Sequence, residues 1–496
     1  MKENKAILLR ILLVGATNFL LSFSGIILLP ILTRNLSIEE YGYWVQIGVT
    51  VTMVTILATL GLPFTLVRFL APLNKLEEIS EIFYSLFFLE IFMSIAVAST
   101  FFALSDKISM VLFSGNSFLA KTMSFIIFFE CLNSFLIGYL RAREQIKRYS
   151  MLNVIRTILQ IIFIYFLLSY GKGIVGAELG LLASSLLMFF IMGYMIVSEI
   201  GFKVPKFENL MDFLKFSIPT VPSNLSNWIV NASDRYVIGY YLGPNSVGYY
   251  SPGYALGNIL NSFSTPLNFI LPATLSKHYD NNNIEEVKSI LSYSLKYYLI
   301  ITIPSFFGLS FLSKSLLNLL TTPDIATEGY LITPFIALSS LFLGVYTIYQ
   351  KIAILEKKTM LTARIWFIAA TLNFLLNILL VPHFGLISAA FTTLIAFVSS
   401  VVLMVWKSSK VLRPQFGSSL IIKTLFSSAG MSLVILLTNP KSQSEIFLTI
   451  FYCSAVYFCM LYLLKTFEKE EIEFVKSLCK FRPSPVTWMV FLTKRK

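Results

Sequence analysis

An acid and a base stand side by side, as Asp234 and Arg235, inside an otherwise apolar segment of this chain. On a helix, Asn224, Asn227 and Asn231 share the face of Asp234, because they precede it by ten, seven and three residues. These polar groups would be unsatisfied against lipid, so we expect the stripe to face a bundle interior or a water-filled cavity, where it could bind a polar solute. Alternatively, Asp234 and Arg235 pair with each other and only fix packing.

A second polar stripe combines Asn153, Arg156 and Gln160, which share a helix face at positions i, i+3 and i+7. The rigid guanidinium fork of Arg156 is suited to bidentate hydrogen bonds with a diphosphate. Arg156 lies only about two turns from the end of its segment, so snorkelling to the membrane surface is an equal alternative. Lys296 lies deeper in its own apolar segment, and we predict that it joins Arg235 as a cation of the same cavity.

Two acids, Glu90 and Glu130, lie near the middle of apolar segments, too deep for a short side chain to reach water. Each needs a neighbouring cation or a proton. Glu90, Glu130 and Asp234 are therefore candidate sites for a coupling ion, with a protonated or paired structural carboxylate as the alternative. Glu178, about one turn into its segment, is predicted to lie at the outer rim.

The cysteines and histidines predict no metal site. The four cysteines lack the spacing of metal ligands, and neither histidine has a second ligand close by in the sequence. Paired carboxylates on a long external loop, which a membrane enzyme would need, are also missing from the sequence pattern. We therefore predict neither an enzyme nor a bound cofactor.

The elements that must position these residues are transmembrane helices. Of 496 residues, 56% are hydrophobic and 13% are charged, and the mean hydropathy of +0.76 lies far outside the range of soluble domains. Fourteen apolar runs are long enough to cross a hydrocarbon core of about 30 Å. They lack the two-residue alternation of a membrane β-barrel, so the sequence predicts an all-α polytopic membrane protein.

The net charge of +13 sets orientation and does not indicate nucleic-acid binding. If the connections alternate from an inside start, the inside set holds 28 Lys and Arg residues and the outside set holds 6. Positive residues favour the cytoplasmic side, so we predict fourteen crossings with both termini in the cytoplasm. Attraction to anionic membrane lipids is a secondary effect of the same charges.

Similar blocks recur in the same order at nearly constant spacing. The paired blocks are residues 42–43 with 248–249, 62–66 with 271–275, 150–152 with 359–361, and 173–177 with 385–389. We infer a duplication of six helices, and because six is even, the two copies run in the same direction through the membrane.

The duplication predicts four parts of the chain. They are an N-terminal lobe at 1–200, a C-terminal lobe at 201–410, two further helices at 411–466, and a cytoplasmic interfacial tail at 467–496. Prolines within the spans are expected to kink them, as a packed bundle or a wet cavity can tolerate.

Three stretches are distinctive: SDRYVIGYYLGPNSVGYYSPGY, LNFLLNILLVPHFGLISAAFTT and LTRNLSIEEYGYW. They resemble, in that order, the seventh-helix signature, the connection of helices 11 and 12, and the end of helix 1 in the polysaccharide transporter family of the multidrug/oligosaccharidyl-lipid/polysaccharide flippase superfamily. The resemblance covers about the first 410 residues. The GPNSVGYY portion is predicted to be a tight external turn shaped by Gly243, Pro244 and Gly248.

The resemblance implies a V-shaped pair of six-helix lobes around a central cavity, followed by two C-terminal helices. It implies alternating access that carries an undecaprenyl-diphosphate-linked oligosaccharide, such as an O-antigen or other lipopolysaccharide repeat unit, across the bacterial cytoplasmic (inner) membrane. A polymerase of the same pathway is a further implied partner, and a proton or a sodium ion stays open as the coupling ion. One departure from symmetry is that Gly25, Leu28 and Leu29 occupy the positions aligned with Asn231, Asp234 and Arg235.

Other functions remain open on the residues alone. A cation-coupled antiporter of the related multidrug extrusion family usually ends after twelve helices, so the extra pair disfavours it. A membrane oligosaccharide polymerase would need the catalytic loop that the sequence lacks, and buried charges disfavour a scaffold without transport.

Overall fold

The part of the chain that the structure describes is built from α-helices. A computed structural model describes residues 24–207, 209–414 and 418–467, together with residues 17, 21 and 471. Eleven helices in these ranges are long and apolar enough to cross a membrane. The predicted all-helical, polytopic membrane class is therefore confirmed.

The helices follow the order of the predicted spans. A first series contains α1 (24–35), α2 (Ile38–Ala58), α3 (Leu62–Leu70), α4 (Leu76–Ala103), α5 (Ser105–Leu112), α6 (Ser117–Ala142), α7 (Ile146–Ser169) and α8 (Gly173–Ile200). A second series contains α9 (Leu210–Ser217), α10 (Val221–Ala232), α11 (Asp234–Leu242), α12 (Pro244–Asn258), α13 (Thr265–Asp280), α14 (Ile284–Leu320), α15 (Pro323–Gly329), α16 (Ile332–Leu355), α17 (Thr359–Phe384) and α18 (Leu386–Ser408). The last pair is α19 (Ser418–Thr438) and α20 (Gln443–Leu463).

Local sequence explains how α2 begins and ends. The hydroxyl of Ser37 accepts a hydrogen bond from the backbone N–H of Glu40 at 3.2 Å, and the Glu40 carboxylate accepts one from the N–H of Ser37 at 2.9 Å. This reciprocal capping satisfies two of the free donors at the helix start. Beyond the end of α2, Gly61 has a φ of 77°, which places the chain in the left-handed region before α3 begins at Leu62, with Pro63 in its first turn.

The predicted seventh and eighth spans are divided into separate helices, which goes beyond the kinks that the sequence predicts at prolines. The seventh divides into α9, a 3₁₀ turn at Ile218–Thr220, α10 and α11, and the eighth divides into α12 and α13 around a 3₁₀ segment at Ile259–Phe263. Prolines explain part of this division, because Pro219, Pro222 and Pro266 each lie at the start of a segment, where a missing N–H is tolerated. Other prolines, such as Pro272 and Pro304, lie inside helices as predicted.

The GPNSVGYY stretch is helical and not a turn. Only Gly243, with a φ of 83°, forms the junction between α11 and α12, which begins at Pro244. A Cβ added at Gly248 would lie 2.4 Å from the carbonyl oxygen of Ile38 on α2. The glycine is therefore required for close approach of two helices and does not shape a turn.

A glycine of α2 makes the reciprocal close contact with the backbone of α12. A Cβ added at Gly42 of α2 would lie 2.1 Å from the carbonyl oxygen of Pro244 on α12. Nearby, the guanidinium of Arg34 donates to the carbonyl of Leu319 at 2.7 Å. The first and second series are thus in direct backbone contact where α2 and α12 begin, and we call this contact the glycine contact.

The predicted boundaries near residues 200 and 410 fall in connections between helices. However, α9 packs onto α3 of the first series, where the rings of Phe69 and Phe213 lie 4.9 Å apart. The segment that follows the first boundary therefore contacts the first lobe. The predicted tail at 467–496 lies outside the described residues except for residues 467 and 471, and the duplication and its four parts stay predictions.

Candidate functional site

Asp234 and Arg235 form a buried ion pair at the start of α11. Arg235 Nη1 lies 2.7 Å from Asp234 Oδ1, and the two side chains are 9% and 1% exposed. The same oxygen accepts the backbone N–H of Arg235 at 2.9 Å, and Arg235 Nη1 also donates to the carbonyl of Asn231 at 2.6 Å. The interruption between α10 and α11 thus supplies a carbonyl acceptor for the guanidinium.

Two tyrosines of α12 complete this pair. The hydroxyl of Tyr250 donates to Asp234 Oδ2 at 2.5 Å, so both carboxylate oxygens have partners. The guanidinium carbon of Arg235 lies 3.7 Å from the centre of the Tyr254 ring, which gives a cation–π contact. The pair is internally satisfied in this conformation, which agrees with the packing alternative and leaves little of either charge accessible to a solute.

The asparagines of the stripe are more accessible than the ion pair. Asn227 is exposed, and Asn224 and Asn231 are half-buried. Asn231 donates to the carbonyl of Asn227 at 2.8 Å and to the side-chain oxygen of Asn227 at 3.3 Å, so the NH₂ group of Asn227 is the part of that amide directed to the exposed face. The stripe therefore has an accessible end made of amides and a closed end made of charges.

The first series of helices contacts the closed end directly, through residues that the sequence interpretation missed. Gln46 of α2 donates to the carbonyl of Arg235 at 2.8 Å, and the Thr50 hydroxyl lies 2.6 Å from that of Tyr236. A lone Gln in an apolar span was a signal that could have been noticed. The candidate site thus lies at the interface of the two series.

The second predicted stripe contains a different ion pair. Arg156 of α7 forms a hydrogen-bonded ion pair with Glu130 of α6, so it does not snorkel to the surface. The Ser185 hydroxyl donates to the other Glu130 oxygen at 2.6 Å. Asn153 and Gln160 are half-buried beside Arg156 on α7, and Asn153 donates to the carbonyl of Tyr149. Arg156 and Glu130 are 28% and 13% exposed, which makes this pair more accessible than Asp234–Arg235.

Two other acids lack a cation among the described residues. Glu90 is fully buried, one oxygen accepts from Ser94 at 3.4 Å, and the other has no hydrogen-bond partner. Glu178 is also fully buried with both oxygens unpartnered, so its predicted position at an accessible rim is wrong. Helix α8 turns this face toward the bundle, which distance along the sequence could not reveal.

Lys296 lies apart from the other predicted cavity residues. Its ammonium group contacts both carboxylate oxygens of Glu471, at 2.7 and 2.9 Å, and the Tyr297 hydroxyl also donates to Glu471. A residue of the C-terminal segment therefore neutralises this cation. The structure assigns Lys296 to a contact with that segment, and its role in a cavity stays a prediction.

Within the described ranges, no group of three or more His, Cys, Asp or Glu side chains could hold a metal ion. The site is therefore described by two ion pairs, an amide stripe and unpaired acids. Such an arrangement can bind a polar or anionic solute and exchange a proton.

Sequence profiles of two families match the chain. The family described as "Polysaccharide biosynthesis protein" matches residues 8–274, and the MatE family matches residues 219–379. The first match is more than half of the chain and includes two of the three stretches that carry the predicted resemblance, residues 32–44 and 233–254.

Curated relatives include two proteins of Haloferax volcanii. The probable low-salt glycan biosynthesis flippase Agl15 is 24% identical over 332 residues, which is 65% of this chain and 68% of the relative. The probable flippase AglR is 23% identical over 306 residues, which is 61% of this chain and 63% of the relative. Their named activity is transport, which agrees with the prediction of a protein that is not an enzyme.

Solved structures show the same fold. The lipid II flippase MurJ in an inward closed conformation superposes with a TM-score of 0.77 at 20% identity, over 92% of this chain and 98% of that one. An inward-facing multidrug resistance MATE family transporter has a TM-score of 0.66 at 14% identity, over 80% of this chain and 98% of that one. At these identities the likeness establishes the fold, an all-helical polytopic transporter fold.

Proposed function

The chain belongs to the polysaccharide biosynthesis protein family, and on that premise we propose that it is a flippase of glycan biosynthesis. Its substrate is an undecaprenyl-diphosphate-linked oligosaccharide, such as an O-antigen repeat unit, carried from the cytoplasmic to the outer leaflet by alternating access. The protein lies in the bacterial cytoplasmic membrane with both termini in the cytoplasm. The named flippases among its relatives support the general activity.

The observation that carries this proposal is the polar stripe on the interrupted helix between the two series. Asn224, Asn227 and Asn231 offer amide donors and acceptors, which match the hydroxyl groups of a sugar. The stripe ends at the Asp234–Arg235 pair, which Gln46 of the first lobe covers. The two six-helix lobes enclose the sugar, the accessible asparagines bind it, and the charged end opens only when the lobes separate.

The diphosphate requires a cation, because an unpaired ion in hydrocarbon costs at least about 2.5 kcal/mol. Arg156 is the more accessible guanidinium, and its present partner is Glu130. A diphosphate that displaces Glu130 from Arg156 leaves that acid with only Ser185, where a proton or a sodium ion restores neutrality. Ion coupling through Glu130, or through Asp234 when it separates from Arg235, follows this logic, whereas Glu90 would bind a proton without losing a cation.

The test is complementation of a bacterial strain that lacks its own flippase, scored by surface glycan. Asn227→Ala should lower glycan export severalfold, because it removes an accessible amide of the stripe. Asn245→Ala is the matched control, since Asn245 is an exposed asparagine outside the stripe, and it should export normally. Asp234→Ala and Arg235→Ala are assayed beside them.

Expression of every variant is checked by immunoblotting of membranes. Normal glycan export by Asn227→Ala, Asp234→Ala and Arg235→Ala together would eliminate the stripe as the substrate site. Absence of complementation by a well-expressed wild-type chain would count against the function itself.

A specific observation supports one alternative function. The MatE profile matches residues 219–379, which include the stripe, and this favours a cation-coupled antiporter for drugs or metabolites. In that case the wild-type chain would raise drug resistance in the same strain without restoring surface glycan.

A further inference from the structure

Lys351 is a buried cation that the flippase proposal does not use. It lies on α16, is 6% exposed, and packs against α13. Its ammonium group donates to Asn268 Oδ1 on α13 at 2.7 Å. The 28 positive residues counted above for the inside connections include Lys351, whereas the structure places it within α16.

No acid among the described residues neutralises Lys351. The nearest acid along α16 is Glu356, which accepts a hydrogen bond from Tyr279 and lies 3.3 Å from Lys358. These two contacts hold the pKa of Glu356 below its ordinary value, so it is ionised and already engaged. A desolvated ammonium with a single neutral acceptor is an uncompensated charge, which favours an anionic ligand.

The surroundings of Lys351 restrict where such a ligand enters. Leu271, Leu275 and Ile352 belong to one buried apolar cluster, so the lysine stem is enclosed. Asn268, in contrast, is exposed. The ammonium group therefore meets the accessible surface at Asn268, about 6 Å along the helix axis from the end of α16.

The Lys351–Asn268 bond also orients the amide. Because the Asn268 oxygen accepts from Lys351, its NH₂ group points away from the ammonium group, where it can donate to an acceptor. The ammonium group has two further donors. A compact positive charge beside amide donors matches the oxygens of a phosphate, which accept several hydrogen bonds at once.

We propose that Lys351 and Asn268 form a binding site for the phosphate group of a lipid at the end of α16, on the predicted cytoplasmic side. Two lipids supply this chemistry: the transported lipid diphosphate, an assignment that rests on the proposed function, and an anionic phospholipid of the bilayer. In the first case the site receives the diphosphate before it reaches the polar stripe.

The test measures binding of farnesyl diphosphate to the full chain in phosphatidylcholine nanodiscs. Lys351→Gln should weaken binding about tenfold or more, because it removes the charge, whereas Lys351→Arg should stay within about threefold of wild type. Lys277→Gln is the matched control, since Lys277 is exposed on α13 and the substitution changes net charge equally. Farnesol, which lacks phosphate, should not bind at this site.

Asn268→Ala provides a second variant, because replacing an exposed asparagine disturbs folding less than replacing a buried lysine. It should weaken binding severalfold. Equal affinities of Lys351→Gln, Asn268→Ala and Lys277→Gln would overturn the proposal, as would failure of wild type to bind farnesyl diphosphate. Phosphatidylglycerol added to the nanodiscs distinguishes the two lipids. If it competes with farnesyl diphosphate, the site binds a phospholipid headgroup of the bilayer; if binding of farnesyl diphosphate is undiminished, the site is specific for the diphosphate. If the wild-type chain binds farnesyl diphosphate but does not restore glycan export, the flippase function is contradicted and the phosphate site is not.

Discussion

At the scale of single residues, the charged groups differ in what satisfies them. Asp234 and Arg235 form a buried ion pair that two tyrosines also contact, whereas Arg156 and Glu130 form an ion pair that is more exposed. Accessibility therefore separates a pair that closes a structure from a pair that can exchange partners. This difference cannot be predicted from the residue types alone, because each of the two pairs consists of an arginine and a carboxylate.

The Asp234–Arg235 pair should behave as a closed unit. Asp234→Ala or Arg235→Ala alone should each cost about 3–5 kcal/mol of unfolding free energy, because each leaves an uncompensated buried charge. The double substitution should cost clearly less than the sum of the two. The measurement is denaturant unfolding of the four proteins in detergent micelles.

An exposed ion pair provides the comparison for this cycle. Lys215 and Asp212 lie 3.5 Å apart with side chains 72% and 67% exposed, so removing either should leave stability measurably unchanged. Additive costs for Asp234→Ala and Arg235→Ala would contradict a closed unit and favour two independent binding groups.

At the scale of elements, the sequence predicts the long spans well and the interrupted ones poorly. Continuous apolar runs such as those of α16 and α18 form uninterrupted helices, because every backbone group is satisfied within the helix. The seventh and eighth spans contain prolines, and the effect of a proline depends on whether neighbouring helices supply a partner for the freed carbonyl. That information lies in tertiary contacts.

The rotation of a helix about its axis, which decides which of its residues are buried, is also poorly predicted from the sequence. Glu178 and Lys351 are buried, although the sequence predicts an outer-rim position for Glu178 and counts Lys351 with the inside connections. The rotation of a helix depends on the neighbours that it packs against, and in a chain that is 56% hydrophobic the apolar face gives little contrast. The stripes of α7 and α10 were predictable because polar residues in such segments are rare.

The glycine contact should control opening between the series. In Gly42→Ala, the added Cβ would overlap the carbonyl of Pro244, so α2 and α12 must separate at this end. Val45, which packs against the second series, should become more accessible. We expect faster maleimide labelling of Val45→Cys in a background without native cysteines, by about tenfold if separation costs the closed state about 1.4 kcal/mol.

Gly48 is the control on the same helix. A Cβ at Gly48 meets nothing within 4 Å, so Gly48→Ala should leave the labelling rate unchanged and slightly favour the helix. Equal labelling of Val45→Cys in both glycine variants would show that the glycine contact does not hold this end closed.

At the scale of the whole molecule, the glycine contact relates the two series to each other. At the predicted repeat spacing of 206 residues, the positions of Ile38 and Gly42 correspond to those of Pro244 and Gly248. Gly42 approaches the carbonyl of Pro244, the first residue of α12, and Gly248 approaches the carbonyl of Ile38, the first residue of α2. Reciprocal contacts of this kind are expected where parallel copies meet across a twofold axis. This reciprocity supports the predicted duplication, while the charges at Asp234 and Arg235 belong to one copy only.

The number of crossings is the remaining whole-molecule prediction, and the two connections that flank α19 test it. The connection after α18 carries Lys410 and Arg413, whereas the one between α19 and α20 carries only Lys441. Positive residues are retained in the cytoplasm, so alkaline phosphatase fused after Lys410 or Lys465 should be inactive, and phosphatase fused after Asn439 should be active. Green fluorescent protein at the same positions should give the opposite pattern. An active fusion after Lys465 would make the number of crossings odd and place the C-terminal segment outside. That segment includes Glu471, the partner of Lys296, so the result would contradict the predicted cytoplasmic tail.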